Sequence, residues 1–464
     1  MAALHNDASN LLRGKARDVA ARIRARDVSA LEVTTAALAA IEELNPSLNA
    51  FVEVDERRAL RAAKAVDERV VRGGDLPSLL GVPSGIKDHE HMRGMHTRVG
   101  SRALSWLVWP VDSEFVRTCR DGGLILCGKL ATSELAILSY VHTSLHPPTR
   151  NPLDRTRYSG GSSGGSATAV ASGMVPIAPG SDGAGSIRIP AAFCGLVGWK
   201  ASRGVLSNPH KDVDAVGLAV NGPIAHDVRD AAILLEILAG RPLASDLERA
   251  SSYLAACDRK PRQLRIRYCV SSPVSAVDPE ISAAVVRTAK LLEGMGHIVE
   301  EGSALQAEVE EFLPLMSRLI ASIPLLPFTE SFTEPVTQWI RERGRTVSSE
   351  TMWTVKRDLE DRILQWFGDA DAWLLPTTPV FAPKVGAFEG MGAEKLFHAA
   401  VPNGAFTAAF NASGQPAVSM PAARASHGLP IGIQLVGRLG ADRALFSLAA
   451  SLEEALAYQT WSDS

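Results

Sequence analysis

The stretch Gly180-Ser-Asp-Gly-Ala-Gly-Ser186-Ile-Arg-Ile-Pro190 reads as a strand ending in glycines, then a serine ahead of a short helix with Pro190 near its first turn. Such a turn brings successive main-chain N–H groups together. Gly183, Ala184, Gly185 and Ser186 would offer theirs to a tetrahedral oxyanion, each worth roughly 3 kcal/mol, with the Ser186 hydroxyl placed to attack. The bland alternative is a Gly-rich turn with an N-capping serine. A serine nucleophile needs a base, and Lys87 qualifies if buried, because desolvation lowers a lysine pKa by several units. Gly85-Ile86 before it is apolar enough to carry it inside; the rival is a surface ion pair with Asp88, and spacing alone leaves both open.

Other matches fail on context. Gly160-Gly161-Ser162-Ser163-Gly164 satisfies G-x-S-x-G, but Asn151 to Tyr158 is not the hydrophobic strand a nucleophile elbow requires. Ser84-Gly-Ile-Lys87 satisfies S-x-x-K without opening a helix, and K-T-G is absent, so Ser84 reads as structural. No phosphate-binding loop motif occurs, which argues against a nucleotide cofactor. His89, His91 and His96 lack the H-E-x-x-H spacing of a zinc helix, and no metal is expected. Cys194 lies in an apolar Ala-Ala-Phe-Cys-Gly setting with no base beside it and reads as a packed thiol.

The elements around these residues alternate helix and short apolar strand. Ser29-x-x-Glu32 starts a helix that should stop at Asn45-Pro46, and a second helix covers 57–71. Gly81 to Gly85 looks like a turn, 123–127 like a buried strand, and 132–140 like a helix. Strands are expected at 174–178, 264–270 and 373–376, and helices at 227–238 and 279–295. Residues 159–186 hold eight glycines and seven serines, yet the apolar run 167–179 inside them argues for tight turns and not a linker. The pattern is that of an α/β fold.

These motifs together resemble the amidase signature family. The resemblance rests on Gly81-Val-Pro-Ser-Gly-Ile-Lys87-Asp88, Gly160-Gly-Ser162-Ser-Gly-Gly-Ser166-Ala, the Ser186 turn, Gly414-Gln-Pro-Ala-Val-Ser-Met-Pro421 and Gly428-Leu-Pro-Ile-Gly-Ile-Gln-Leu-Val-Gly437, in the family's order. It implies a large mixed twisted sheet covered by helices on both faces. It also implies Ser186 as nucleophile, Ser162 as a bridging serine after a cis peptide bond from Gly161, and Lys87 as the neutral base. Two departures stand out: Gly183-Ala184-Gly185 where the family usually has Thr-Gly-Gly, and Ser159 where proline is frequent. The expected organisation is one domain over 1–464, with a catalytic core at about 60–240 plus 370–456 and a variable, cap-forming region at about 240–370.

With 48 basic and 51 acidic residues the net charge is −3, no footprint for nucleic acid or an anionic membrane. Five unpaired, scattered cysteines and no leader or membrane span lead to an expected cytoplasmic location. The expected partner is a small amide-type substrate; the oligomeric state is open, with a homodimer among the options. Amides, anilides, esters and carbamates (urethanes) share the same acyl-enzyme chemistry. Segments 137–148, 312–328 and 388–403 are candidates for the specificity loops. The alternatives are the amidase subunit of a glutamyl-tRNA amidotransferase, or a non-catalytic binding protein of the same fold.

Overall fold

The computed structural model describes residues 10–207, 214–240 and 252–456. Helices Ala16–Ala25 and Ala30–Leu48 precede the first strand, the second opened by the expected capping box between Ser29 and Glu32. That helix runs past Pro46, contrary to the expected stop. Asn49, at φ 56°, closes it by donating its N–H to Asn45 O at 2.8 Å, while the Asn45 side chain pairs with the main chain of Phe51.

Phe51 begins β1 (Phe51–Val54), which with β2 (Pro83–Lys87) and β3 (Ile125–Leu130) forms a three-stranded sheet in the order β1-β3-β2. The expected turn at Gly81–Gly85 is therefore largely strand. Pro83 is tolerated there because it opens a strand at the sheet edge, where no ladder donor is missed. The expected helix over 132–140 is also absent beyond the short turn Glu134–Ala136. The Ser133 hydroxyl instead bonds both the N–H and the carbonyl of Leu138, a local side-chain bond that competes with helix formation.

A hairpin of β4 (Arg150–Asn151) and β5 (Asp154–Tyr158) precedes the eight-stranded main sheet. Its strands are β6 (Ile177–Asp182), β7 (Val197–Lys200), β8 (Val220–Ala225), β9 (Arg265–Tyr268), β10 (Ile298–Glu301), β11 (Ala372–Pro376), β12 (Ala417–Arg424) and β13 (Pro430–Gly437). Their spatial order is β10-β9-β11-β13-β12-β7-β8-β6, with β10, β9 and β11 parallel and the remaining pairs antiparallel. Ser84 joins the two sheets by donating to Ile177 O at 2.9 Å, the structural role expected of it.

Alternation along the strands separates two cores. Leu374, Leu435 and Val418 pack with the helices Val228–Leu238 and Asp442–Ala455, where Phe446 stacks on Trp199 at 3.5 Å. Their neighbours Trp373, Leu375, Val436 and Ala417 pack with Leu359, Ile363 and Phe367 of the helix Ser349–Phe367. Successive strand residues face opposite ways, so helices cover both faces of the mixed sheet.

The region expected to be a cap divides in two. β9, the helix Pro279–Gly294 and β10 are integral to the main sheet and its covering layer, which corrects the boundary drawn from sequence. The helices Val309–Ser322, Pro335–Thr346 and Ser349–Phe367 lie outside the sheet, and Phe312, Leu359 and Ile363 of the first and third line the cavity described below.

Candidate active site

β6 ends at Asp182, and its buried carboxylate organises the turn that follows. Oδ1 accepts the Gly185 N–H at 2.6 Å and Oδ2 the Ile187 N–H at 3.2 Å. Arg188, the first residue of the helix Arg188–Cys194, folds back onto the same carboxylate through Nε and Nη2, both at 2.9 Å. Its other N–H groups reach Thr407 O, Gln434 Oε1 and Asn411 Oδ1 at 3.0, 2.7 and 2.6 Å. All five guanidinium donors are thereby satisfied in a fully buried ion pair, which a lone buried charge could not be. Burial pushes the Asp182 carboxyl up, but Arg188 outweighs it and holds the group below the usual carboxylate range.

Two glycines are required by this packing. Gly185 sits at φ 123°, and a methyl there would fall on the Thr407 hydroxyl, which itself donates to Ala184 O at 2.6 Å. Gly161 lies against the main chain of the 138–140 loop, where a Cβ would come within 2.7 Å of Tyr140 N and 2.9 Å of Leu138 O. The Gly161–Ser162 peptide bond is cis.

Lys87, at the end of β2, is 1% exposed and lies beneath the turn. Its Nζ is 2.7 Å from Ser162 Oγ, 2.8 Å from Ser181 Oγ and 3.0 Å from Ser163 Oγ. The Ser163 hydroxyl is spent on Ser181 O, so it meets the amine as an acceptor, whereas the Ser162 hydroxyl proton has no other partner among the described residues. Burial brings the Lys87 pKa down to about 7, against an opposing pull from Asp182. The surface pair with Asp88 does not form, since Asp88 is itself buried and bonds Lys129 Nζ at 2.8 Å.

Ser186 and Gly161 line the floor of a cavity that takes in about 1240 Å³, part of it open to solvent. Among the described residues no hydrogen bond joins the Ser162 and Ser186 hydroxyls. One of the four N–H groups expected to face an oxyanion is engaged elsewhere. The Gly185 N–H is committed to Asp182, whereas those of Gly183, Ala184 and Ser186 bond no protein group among the described residues. All three expected specificity segments reach the cavity, through Leu138, Phe312 and Phe397 for example. Sequence reasoning missed the 404–412 segment, Cys269 and the far wall formed by Ile363 and Trp366. It also passed over Asp182 and Arg188, whose charges inside an apolar, Gly-rich stretch were the available signal.

The remaining candidates sit elsewhere in the molecule. His91 stacks on Trp109 at 3.8 Å, His96 Nδ1 lies 3.0 Å from Glu53, and the three histidines considered for a metal do not converge. Cys194 is buried, and burial pushes its thiol pKa up, away from reactivity. Among the described residues no helix is long and apolar enough to cross a membrane.

The mixed α/β fold thus sets Ser186 on the wall of an apolar cavity and buries Lys87 beneath the same turn, and comparison with known proteins bears on the family. The family model described as Amidase matches residues 32–446. A putative amidase of Synechocystis sp. is 32% identical over 455 residues, covering 95% of this chain and 88% of the relative. One subunit of the glutamyl-tRNA(Gln) amidotransferase of Carboxydothermus hydrogenoformans is 30% identical over 486 residues, covering 95% of this chain and 96% of the relative. The solved structure of 6-aminohexanoate cyclic dimer hydrolase complexed with substrate superposes with a TM-score of 0.86 at 29% identity, covering 96% of this chain and 98% of that one. The chain belongs to the amidase signature family and is an amidase, a hydrolase of carbon–nitrogen bonds other than peptide bonds.

Proposed function

We propose that the protein hydrolyses uncharged, largely apolar carboxamides through an acyl-enzyme on Ser186. The observation that carries this reading is the buried Lys87, with its pKa lowered to about 7, 2.7 Å from Ser162 and below the cavity that Ser186 lines. Lys87 Nζ takes the Ser162 proton while Ser162 Oγ takes that of Ser186, and Ser186 Oγ adds to the carbonyl carbon. Rotation of the Ser186 hydroxyl closes the second link, as catalytic hydrogen bonds often tighten only around substrate. The N–H groups of Gly183, Ala184 and Ser186 hold the oxyanion. The proton returns through Ser162 to the leaving nitrogen, the amine departs, and the same relay activates the water that releases the acid.

Apolar side chains dominate the cavity, and among the described residues Glu308 at its rim is the one charged side chain that lines it. Among the described residues no lining Arg or Lys answers the α-carboxylate of free glutamine, which favours an apolar amide over the glutaminase reaction of an amidotransferase. Esters, anilides and carbamates of similar shape fit the same chemistry. Turnover of a panel of p-nitroanilides, esters and carbamates by the parent and Ser186→Ala tests the reading. Hydrolysis of apolar members, lost in the variant, supports it; a preference for glutamine would overturn it.

A further inference from the structure

Glu134 is a carboxylate that the proposed chemistry does not use. It is 4% exposed, and no cation compensates its charge among the described residues. Its oxygens accept from three donors instead: Ser101 Oγ at 2.6 Å, the Glu334 N–H at 2.6 Å and Thr337 Oγ1 at 2.5 Å. Burial pushes its pKa up, opposed by these hydrogen bonds. Ser101 belongs to the core, whereas Glu334 lies 200 residues further along the chain and opens the cap helix Pro335–Thr346.

Glu334 occupies the N-cap position of that helix, yet its side chain makes no cap bond and accepts the Ser144 N–H at 2.6 Å. Glu134 accepts the N–H of the N-cap residue itself, the donor that an N3 side chain satisfies in a capping box, and sets its negative charge at the positive end of the helix. The two glutamates therefore cross, each satisfying an amide on the other's segment.

Both walls of the cavity hang from this clasp. On the core side Glu134 leads into Leu135 and Ala136, at φ 45° and 60°, a conformation that L-residues adopt only when their surroundings impose it. Ile137, Leu138 and Ser139 of the cavity wall follow, with Leu138 O set against Gly161. On the cap side the helix Pro335–Thr346 packs on Val309–Ser322 with Gly344 pressed to the Ser317 carbonyl, and the latter helix presents Phe312, Leu313 and Met316 to the cavity.

We propose that Glu134 is a positioning residue that holds the 137–139 wall and the 312–316 wall in register, so that recognition of a long apolar acyl arm depends on its carboxylate. This rests on the amidase reading of the same cavity. The test compares acetyl and octanoyl p-nitroanilides, which share a leaving group, in the parent, Glu134→Ala, Glu134→Gln and Thr337→Val. Glu134→Ala should lower the preference for the octanoyl substrate about tenfold, through KM, the scale of one charge-assisted hydrogen bond. Glu134→Gln, which keeps an acceptor oxygen, should recover part of it, and Thr337→Val should act in the same direction with Glu134 intact. Equal losses on both anilides would mark a general folding role and overturn the proposal. Amide hydrogen exchange needs no substrate: faster exchange at 135–139 and 312–317, with β6 and β12 as protected as in the parent, supports the clasp, and parental protection of both walls overturns it. Should the parent hydrolyse neither anilide, the amidase reading falls and the exchange result alone decides the clasp.

Discussion

If Lys87 is the base, only its neutral form supports turnover, and the environment that makes it neutral sets the pH dependence. Burial brings its pKa to about 7. At pH 5 about one molecule in a hundred then carries the free amine, so kcat/KM should lie about a hundredfold below its alkaline plateau, equivalent to about 2.7 kcal/mol of activation free energy. Folding should respond in the opposite pH range. Between about 7 and the ordinary lysine value of 10.5, the unfolded chain binds a proton that the buried amine has released, so stability rises with pH there, by on the order of 5 kcal/mol from this group. Below about 7 both states carry the proton and the contribution of Lys87 is flat. Lys87→Arg keeps the charge but loses the base, and should cost about a thousandfold in kcat/KM. The assay is initial-rate turnover of an apolar p-nitroanilide between pH 5 and 9, with urea denaturation over pH 6 to 10. Flat rates down to pH 5, or an arginine variant near parental activity, would remove Lys87 from proton transfer.

Removing the Arg188 side chain leaves Asp182 charged and buried without its partner, so Arg188→Ala should lose about 3–5 kcal/mol of stability by urea denaturation; a change below about 1 kcal/mol would contradict the role given to the pair. Gly185→Ala places a methyl on the Thr407 hydroxyl at a φ of 123° and should lower activity at least about a hundredfold, since it displaces the Ser186 turn. Gly183→Ala meets no atom within 4 Å and should stay close to the parent, so equal losses in the two variants would refute the packing argument.

The Ser186 turn was legible in the sequence because strand, glycines, serine and proline follow one another within eleven residues, a local pattern that needs no distant partner. The same holds for the capping box at Ser29 and for the helices Val228–Leu238 and Pro279–Gly294, whose periodicity and caps are local. Lys87 stayed ambiguous for the opposite reason. Its burial is created by serines 75 to 94 residues away, and Asp88, its apparent partner, is claimed by Lys129. The expected helix over 132–140 failed because Ser133 and Glu134 spend their side chains on the main chain and on the cap, which no helical periodicity reveals. The strand at 264–270 and the helix at 279–295 were legible, but their place in the main sheet was not, because β9 pairs with β11 far along the chain and the four-residue β10 is too short for alternation to show.

Acylation of Ser186 is the step on which the proposed hydrolysis depends. It is tested most directly by trapping the protein with a fluorophosphonate or a slowly released carbamate and locating the adduct by peptide mass spectrometry. One equivalent of adduct on Ser186, absent in Ser186→Ala and formed more slowly in Lys87→Ala, is the predicted result. A stoichiometric adduct on Ser162 or on a cysteine, or turnover of the apolar anilide that persists in Ser186→Ala, would contradict it.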